Sequence, residues 1–142
     1  NRSLDGTRQK LEFLLSNRGL ITDAWVREET LINQSPGGDA AQAGLRRYDA
    51  QSDLVGEEYK ALGIPTLLCW GVEDRWVPLH HGLAMSELLP DAPLLLLSPG
   101  GHSPYYELPE EFSAAVAQFA TDPGSLPAGP FGSGAVAAGA AE

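Results

Sequence analysis

The chain has 142 residues, 43% of them hydrophobic, enough for one modest core but not for two large ones. Nineteen acidic against nine basic side chains leave a net charge of −10, and such a surface repels phosphate backbones and anionic headgroups, which argues against nucleic-acid and membrane partners. The single cysteine, Cys69, lies inside an apolar run and reads as a small buried hydrophobe, not as a disulfide or metal ligand. No stretch approaches the roughly 18 uninterrupted apolar residues of a membrane span, and a cytoplasmic location is expected.

In chain order, Leu4, Leu11, Leu14 and Leu15 share one helical face behind Ser3, a residue type that caps helices, so about the first sixteen residues predict an amphipathic helix. Asn17-Arg18-Gly19 stops it, and Thr22 caps a second helix that begins at Asp23, carries Trp25, Val26, Leu31 and Ile32, and ends at Ser35-Pro36-Gly37-Gly38. A third helix is expected from Ala40 to Tyr48 and a fourth from Ser52 or Asp53 to Lys60. Residues 1–61 thus form a helical segment.

The pattern then changes. Ile64 to Trp70 is a continuous apolar run of strand length, as in parallel sheets buried on both faces, and it ends at Gly71. Leu79 to Leu89 predicts a helix with Leu79, Leu83 and Leu88 inward; Pro90-Asp91 breaks it, and Leu94 to Leu97 forms a second buried strand. A strand, a helix and a returning strand make a parallel pair. Pro99-Gly100-Gly101-His102 turns off the second strand, and Pro109 opens a last helix with Phe112, Val116 and Phe119 along one side. Residues 62–121 are therefore α/β in class: two parallel strands with flanking helices. From Asp122 to Glu142, 14 of 21 residues are Gly, Pro or Ala, the composition of a disordered tail.

Ligands in parallel sheets sit beyond the carboxyl ends of the strands, where turns and helix N-termini converge. Asp74 follows the first strand and His102 the second, 28 positions later, about the length of a helix and a return strand. Adjacent strand tips would then set the carboxylate beside the imidazole. A carboxylate holding one ring nitrogen fixes the tautomer and frees the other nitrogen to take a proton from a nucleophile. An aspartate at such a turn also commonly just accepts turn amides, and a histidine after two glycines also occurs as a solvated loop residue. His80 and His81 read as solvated polar residues with no metal-site spacing, and Glu73 is expected to face solvent or pair with Arg75. No metal or cofactor is called for.

The stretch WGVEDRWVPLHHGL, followed by PDAPLLLLSPGGHSPYYELPEEFSAAVAQF, resembles the C-terminal third of an α/β-hydrolase, and GLITDAWVREETLIN resembles the lid helices of the C–C bond hydrolases that open meta-ring-fission products. The resemblance covers residues 1 to about 121. It implies a partial α/β-hydrolase fold, with residues 1–61 as lid, Asp74 as triad acid and His102 as general base. It also implies that Val77 and Ser103 border a substrate pocket to which Trp25, Leu20, Ile21, Trp76 and Tyr105 add apolar surface.

Three departures bear on function. Ser103 stands where these hydrolases carry a bulky aromatic. Glu29 falls where an ungapped match expects the lid arginine for a substrate carboxylate; Arg27, two residues earlier, serves if a two-residue deletion lies nearby, and otherwise recognition of a dienoate carboxylate fails. No GxSxG elbow is present in the 142 residues, and none of Ser3, Ser16, Ser35 and Ser52 sits on a glycine-flanked strand-to-helix turn. The expectation is a fragment or split subunit of a serine-type hydrolase of a small, largely apolar substrate, acting on an ester or a C–C bond. A missing N-terminal half would bring the nucleophile, and the four-leucine strand would be short of cover without it. The alternative is a non-catalytic remnant or interaction module.

Overall fold

The computed structural model describes residues 2–45 and 57–132. The chain divides into two compact units, residues 1–13 with 18–54 and residues 14–17 with 55–142. Residues 14–17 and the turn of helix before the sheet group with the sheet.

In the helical unit, α1 spans Leu4–Leu14 and begins where the Ser3 hydroxyl accepts the Gly6 N–H at 3.1 Å. Its inward residues are Thr7 and Leu11, whereas Leu4, expected inward, is 51% exposed. The buried stripe carries a threonine because α2, Asp23–Gln34, presents Thr30 to it, and the two hydroxyls bond at 2.8 Å. That pairing satisfies polar groups that would otherwise be costly to bury. Thr22 caps α2 by accepting the Trp25 N–H at 3.1 Å. A third helix, α3, spans Pro36–Leu45. Ser35 both ends α2 and starts α3, accepting the Gly38 N–H on its hydroxyl at 3.0 Å. The Pro36-Gly37-Gly38 stretch, expected to be a break, is thus the first turn of a helix, where proline lacks only an N–H that would have no helical partner. The expected end of this helix at Tyr48 and the start of the next at Ser52 or Asp53 lie outside the described residues.

The sheet unit opens with α4, Glu57–Ala61, followed by β1, Leu68–Gly71; α5, Leu79–Leu88; β2, Pro93–Leu97; α6, Pro104–Glu107; α7, Pro109–Thr121; and β3, Gly129–Gly132. The three strands are parallel in the order β1-β2-β3, with Cys69, Leu95 and Phe131 in register, and Trp70, Leu96 and Gly132 one step on. Alternation sends the first set to one face, where Leu95, Leu97 and Phe131 pack with Ala115 of α7 and with Leu126. The second set faces α5. Because the strand order runs one way while α5 and α7 lie on opposite faces, the two crossovers have opposite hands, so one departs from the usual right-handed rule.

Two expectations are corrected here. Composition predicts disorder from Asp122 onward, yet Pro123–Ser125 form a 3-10 turn, with Asp122 accepting the Gly124 N–H, and Gly129–Gly132 form β3 against β2; residues 133–142 lie outside the described residues. The leucine run is expected to lack cover, yet Leu94, Leu95 and Leu97 are fully buried. The second correction follows from the first: β3 makes β2 a central strand, and Leu126 and Phe131 complete its core. Burial of each leucine is worth about 1.5–3 kcal/mol. The inward face of α5 also differs. Leu83 is 38% exposed while Gly82 and Ser86 are buried, because the Trp70 indole occupies that side. A Cβ on Gly82 would come within 2.6 Å of the Trp70 ring.

No described helix is long and apolar enough to cross a membrane.

Candidate active site

The carboxyl ends of β1 and β2 carry the two turns on which the chemistry rests. They touch through backbone: a Cβ on Gly71 would lie 2.0 Å from the Gly101 carbonyl, so only glycine permits this approach. The Val72 N–H donates to the Leu97 carbonyl and the Glu73 N–H to the Gly100 carbonyl, both at 2.9 Å, so the sheet ladder continues into the turns. The Ser98–Pro99 peptide is cis.

Asp74 Oδ2 lies 2.9 Å from His102 Nδ1, with the aspartate side chain 6% exposed and the histidine 37%. Asp74 Oδ1 meanwhile accepts the N–H groups of Trp76 and Val77 at 2.8 and 2.9 Å. The turn-forming and imidazole-holding readings of this aspartate therefore both hold, one on each oxygen. An ionised carboxylate only accepts, so Nδ1 carries a proton, and whenever the ring is neutral Nε2 is left as the base. Among the described residues no partner meets Nε2. The Trp76 ring stands 6.4 Å from the imidazole, centroid to centroid, and is 60% exposed.

A hollow of about 170 Å³ is lined by Cys69, Trp70, Gly71, Asp74, Val77, His102 and Pro104. Val77 thus lies beside the pair. Ser103 does not line this hollow; it precedes α6, and Pro104 takes the wall. The Trp70 indole N–H donates to the Val77 carbonyl at 3.0 Å, which ties the hollow's floor to the turn. Burial pushes the Cys69 thiol up to about 11, so it is neutral near pH 7 and is no nucleophile. His80 and His81 lie exposed on the first turn of α5 with ring centroids 4.1 Å apart, and among the described residues no group of three His, Cys, Asp or Glu side chains could hold a metal.

Trp25 and Arg27 belong to α2 in the helical unit, where Trp25 is half-buried and Arg27 exposed. Arg27 lines a hollow of about 200 Å³ with Leu4, Asp5, Arg8, Asp23 and Val26. Glu29, at the position of the expected arginine, is engaged by the Lys10 ammonium. That hydrogen bond, against the opposing effect of burial and with further help from the ammonium charge, holds the Glu29 carboxyl below its ordinary range.

Two residues take roles that the sequence reading does not reach. Glu73, expected to face solvent or pair with Arg75, is exposed and also accepts the Ser98 hydroxyl at 2.8 Å and the Gly100 N–H at 2.7 Å. Glu107, which carries no signal beyond its place four residues after Ser103, is 8% exposed and accepts three backbone N–H groups. Both act over sequence separations that periodicity does not reach.

Parallel strands whose carboxyl-end turns join an acid to an imidazole, with flanking helices, make this a partial α/β-hydrolase fold. No family model matches the chain. It is similar to the 2-hydroxy-6-oxo-6-phenylhexa-2,4-dienoate hydrolase of Comamonas testosteroni, 41% identical over 124 residues that cover 82% of this chain and 42% of the relative. It is 36% identical over 89 residues to the pimeloyl-acyl-carrier protein methyl ester esterase of Nitrosomonas europaea, covering 63% of this chain and 34% of that one. The solved meta-cleavage product hydrolase CumD of Pseudomonas fluorescens IP01 superposes with a TM-score of 0.76 at 26% identity, over 86% of this chain and 47% of that one. The chain belongs with the α/β-hydrolases, and its homologues are meta-cleavage-product hydrolases. It spans less than half the length of these relatives.

Proposed function

We propose that these 142 residues supply the acid and base of a Ser-Asp-His triad, Asp74 and His102, to an α/β-hydrolase of a small, largely apolar substrate. The carrying observation is the 2.9 Å contact of Asp74 Oδ2 with His102 Nδ1 across adjacent strand tips. The serine would come from polypeptide outside these residues, a reading supported by their short span against the relatives. His102 Nε2 would take the serine proton as the oxygen attacks a carbonyl, Asp74 would steady the imidazolium, and water would then release the acid product. The bond cleaved would be a C–C bond, as the dienoate hydrolase relatives favour, or an ester, as the esterase relative favours. Val77, which lines the hollow beside the pair, would border the substrate.

The test uses the assembled enzyme, this chain together with the serine-bearing polypeptide. His102→Ala should lower kcat by a factor of about 10³ or more, and Asp74→Asn by about 10³–10⁴, with unchanged melting. Wild-type rates on both a phenyl ester and a dienoate in His102→Ala would overturn the proposal. The absence of a glycine-flanked serine elbow from these residues favours a second reading, a non-catalytic interaction module. The neighbouring coding sequence separates the two: a strand followed by GxSxG supports the enzyme.

A further inference from the structure

Three consecutive amides deliver His102, and each meets a different acceptor. The Gly100 N–H donates to Glu73 Oε2 at 2.7 Å, the Gly101 N–H to Glu107 Oε1 at 2.6 Å, and the His102 N–H to the Leu14 carbonyl at 2.7 Å. The other oxygen of Glu107 accepts the N–H groups of Ser16 and Asn17 at 2.7 and 2.8 Å. This carboxylate therefore ties the histidine turn to the same short segment, residues 14–17, that supplies the acceptor for the His102 amide. All three of these donors to Glu107 are backbone amides. Such a carboxylate has a geometric role that a neutral side chain of the same shape cannot fill: three N–H donors converge on two oxygens, and a glutamine would set its own NH2 against at least one of them.

We propose that Glu107, assisted by Glu73, is a positioning residue for His102, fixing the backbone of the histidine turn so that the imidazole stays on Asp74 in its Nδ1–H tautomer. The catalytic consequence rests on the triad reading above; the positioning itself does not. Glu73 grips the turn from the β1 side and Glu107 from the α6 side, so the two carboxylates act on neighbouring peptide units from opposite directions. A misplacement of about 1 Å at a reacting group costs on the order of 10²-fold in rate.

The experiment reads the ring directly. In the 142-residue chain labelled with 15N-histidine, long-range 1H–15N spectra report which ring nitrogen carries the proton, and the His102 signals are assigned by their loss in His102→Ala. In its neutral form the wild-type ring should show Nδ1–H alone. Glu107→Gln should mix in the Nε2–H form, lowering the Nδ1–H fraction about twofold, while Glu110→Gln, which removes one exposed charge from the first turn of α7, should leave it unchanged. Core methyl resonances of Leu95, Leu97 and Ala115 at wild-type positions show that the fold persists. Should Glu107→Gln fail to fold, Glu73→Gln decides, with a smaller loss of Nδ1–H expected. A wild-type tautomer in whichever folded variant is read, or an equal shift in Glu110→Gln, overturns the proposal. In the assembled enzyme Glu107→Gln should lower kcat about 10- to 100-fold with KM little changed; a tautomer shift without that loss would uphold the positioning and count against the triad.

Discussion

Asp74 shows how one side chain can answer two demands. Its Oδ1 closes a turn through two amides and its Oδ2 holds an imidazole, so the turn that presents the acid is built by the acid itself. That much follows from a strand-end aspartate spaced one helix and one strand from a histidine. Glu73 and Glu107 are not legible in the same way, since nothing local distinguishes a glutamate that accepts distant amides from one in solvent. Two further consequences belong to single residues. The Cys69 thiol, raised to about 11 by burial, should alkylate at pH 8 far more slowly than a free thiol of pKa near 8.5, and at the free rate once the chain is denatured. Iodoacetamide labelling followed by mass spectrometry checks this. Glu29 has its carboxyl lowered in the folded state, so its contribution is fully present above the ordinary value of 4.5 and is lost as pH falls through the depressed one. Melts recorded by circular dichroism from roughly pH 6 down to pH 3 should show an acid decline that is shallower in Glu29→Gln.

At the scale of elements, helix starts are the more legible feature. Ser3 and Thr22, both read as caps, each accept an N–H three residues on, whereas Ser35, read as part of a helix end, turns out to cap α3 in the same way; replacing Thr22 by alanine should cost about 1 kcal/mol of stability, measured by urea denaturation. Helix faces are less legible. The leucines of α5 suggest an inward stripe at Leu79, Leu83 and Leu88, but the helix sits on Trp70 through Gly82. A rigid indole fills the space that a leucine would need, and the smallest residue marks the contact. Gly82→Ala should therefore destabilise the protein: overpacking costs about 1–3 kcal/mol, only partly offset by the roughly 1 kcal/mol that alanine contributes to a helix. A variant at least as stable as wild type would contradict that contact.

For the whole molecule, the decisive element is β3. Four residues, Gly129-Pro130-Phe131-Gly132, have poor intrinsic strand tendency, yet they pair along β2 and bring Phe131 and Leu126 into the core. Truncation after Asp122 would turn β2 into an edge and uncover part of the core around Leu95 and Leu97, and the shortened chain should aggregate on refolding. Phe131→Ala, which keeps the backbone pairing, should cost about 3 kcal/mol. Equal solubility and melting of the truncated chain, by light scattering and calorimetry, would show that β3 contributes little.

By itself the sequence determined the main helices and strands before β3, the caps of α1 and α2, and the meeting of Asp74 with His102, because these depend on local hydrogen bonding, on apolar periodicity and on the fixed reach of a strand, helix and strand. Tertiary structure alone decided which residues brace that pair and what covers β2. Amides at Gly100 and Gly101 find Glu73 and Glu107, and a glycine-rich segment becomes a strand, only once folding has placed unsatisfied donors and an open sheet edge within reach, and neither leaves a pattern along the chain.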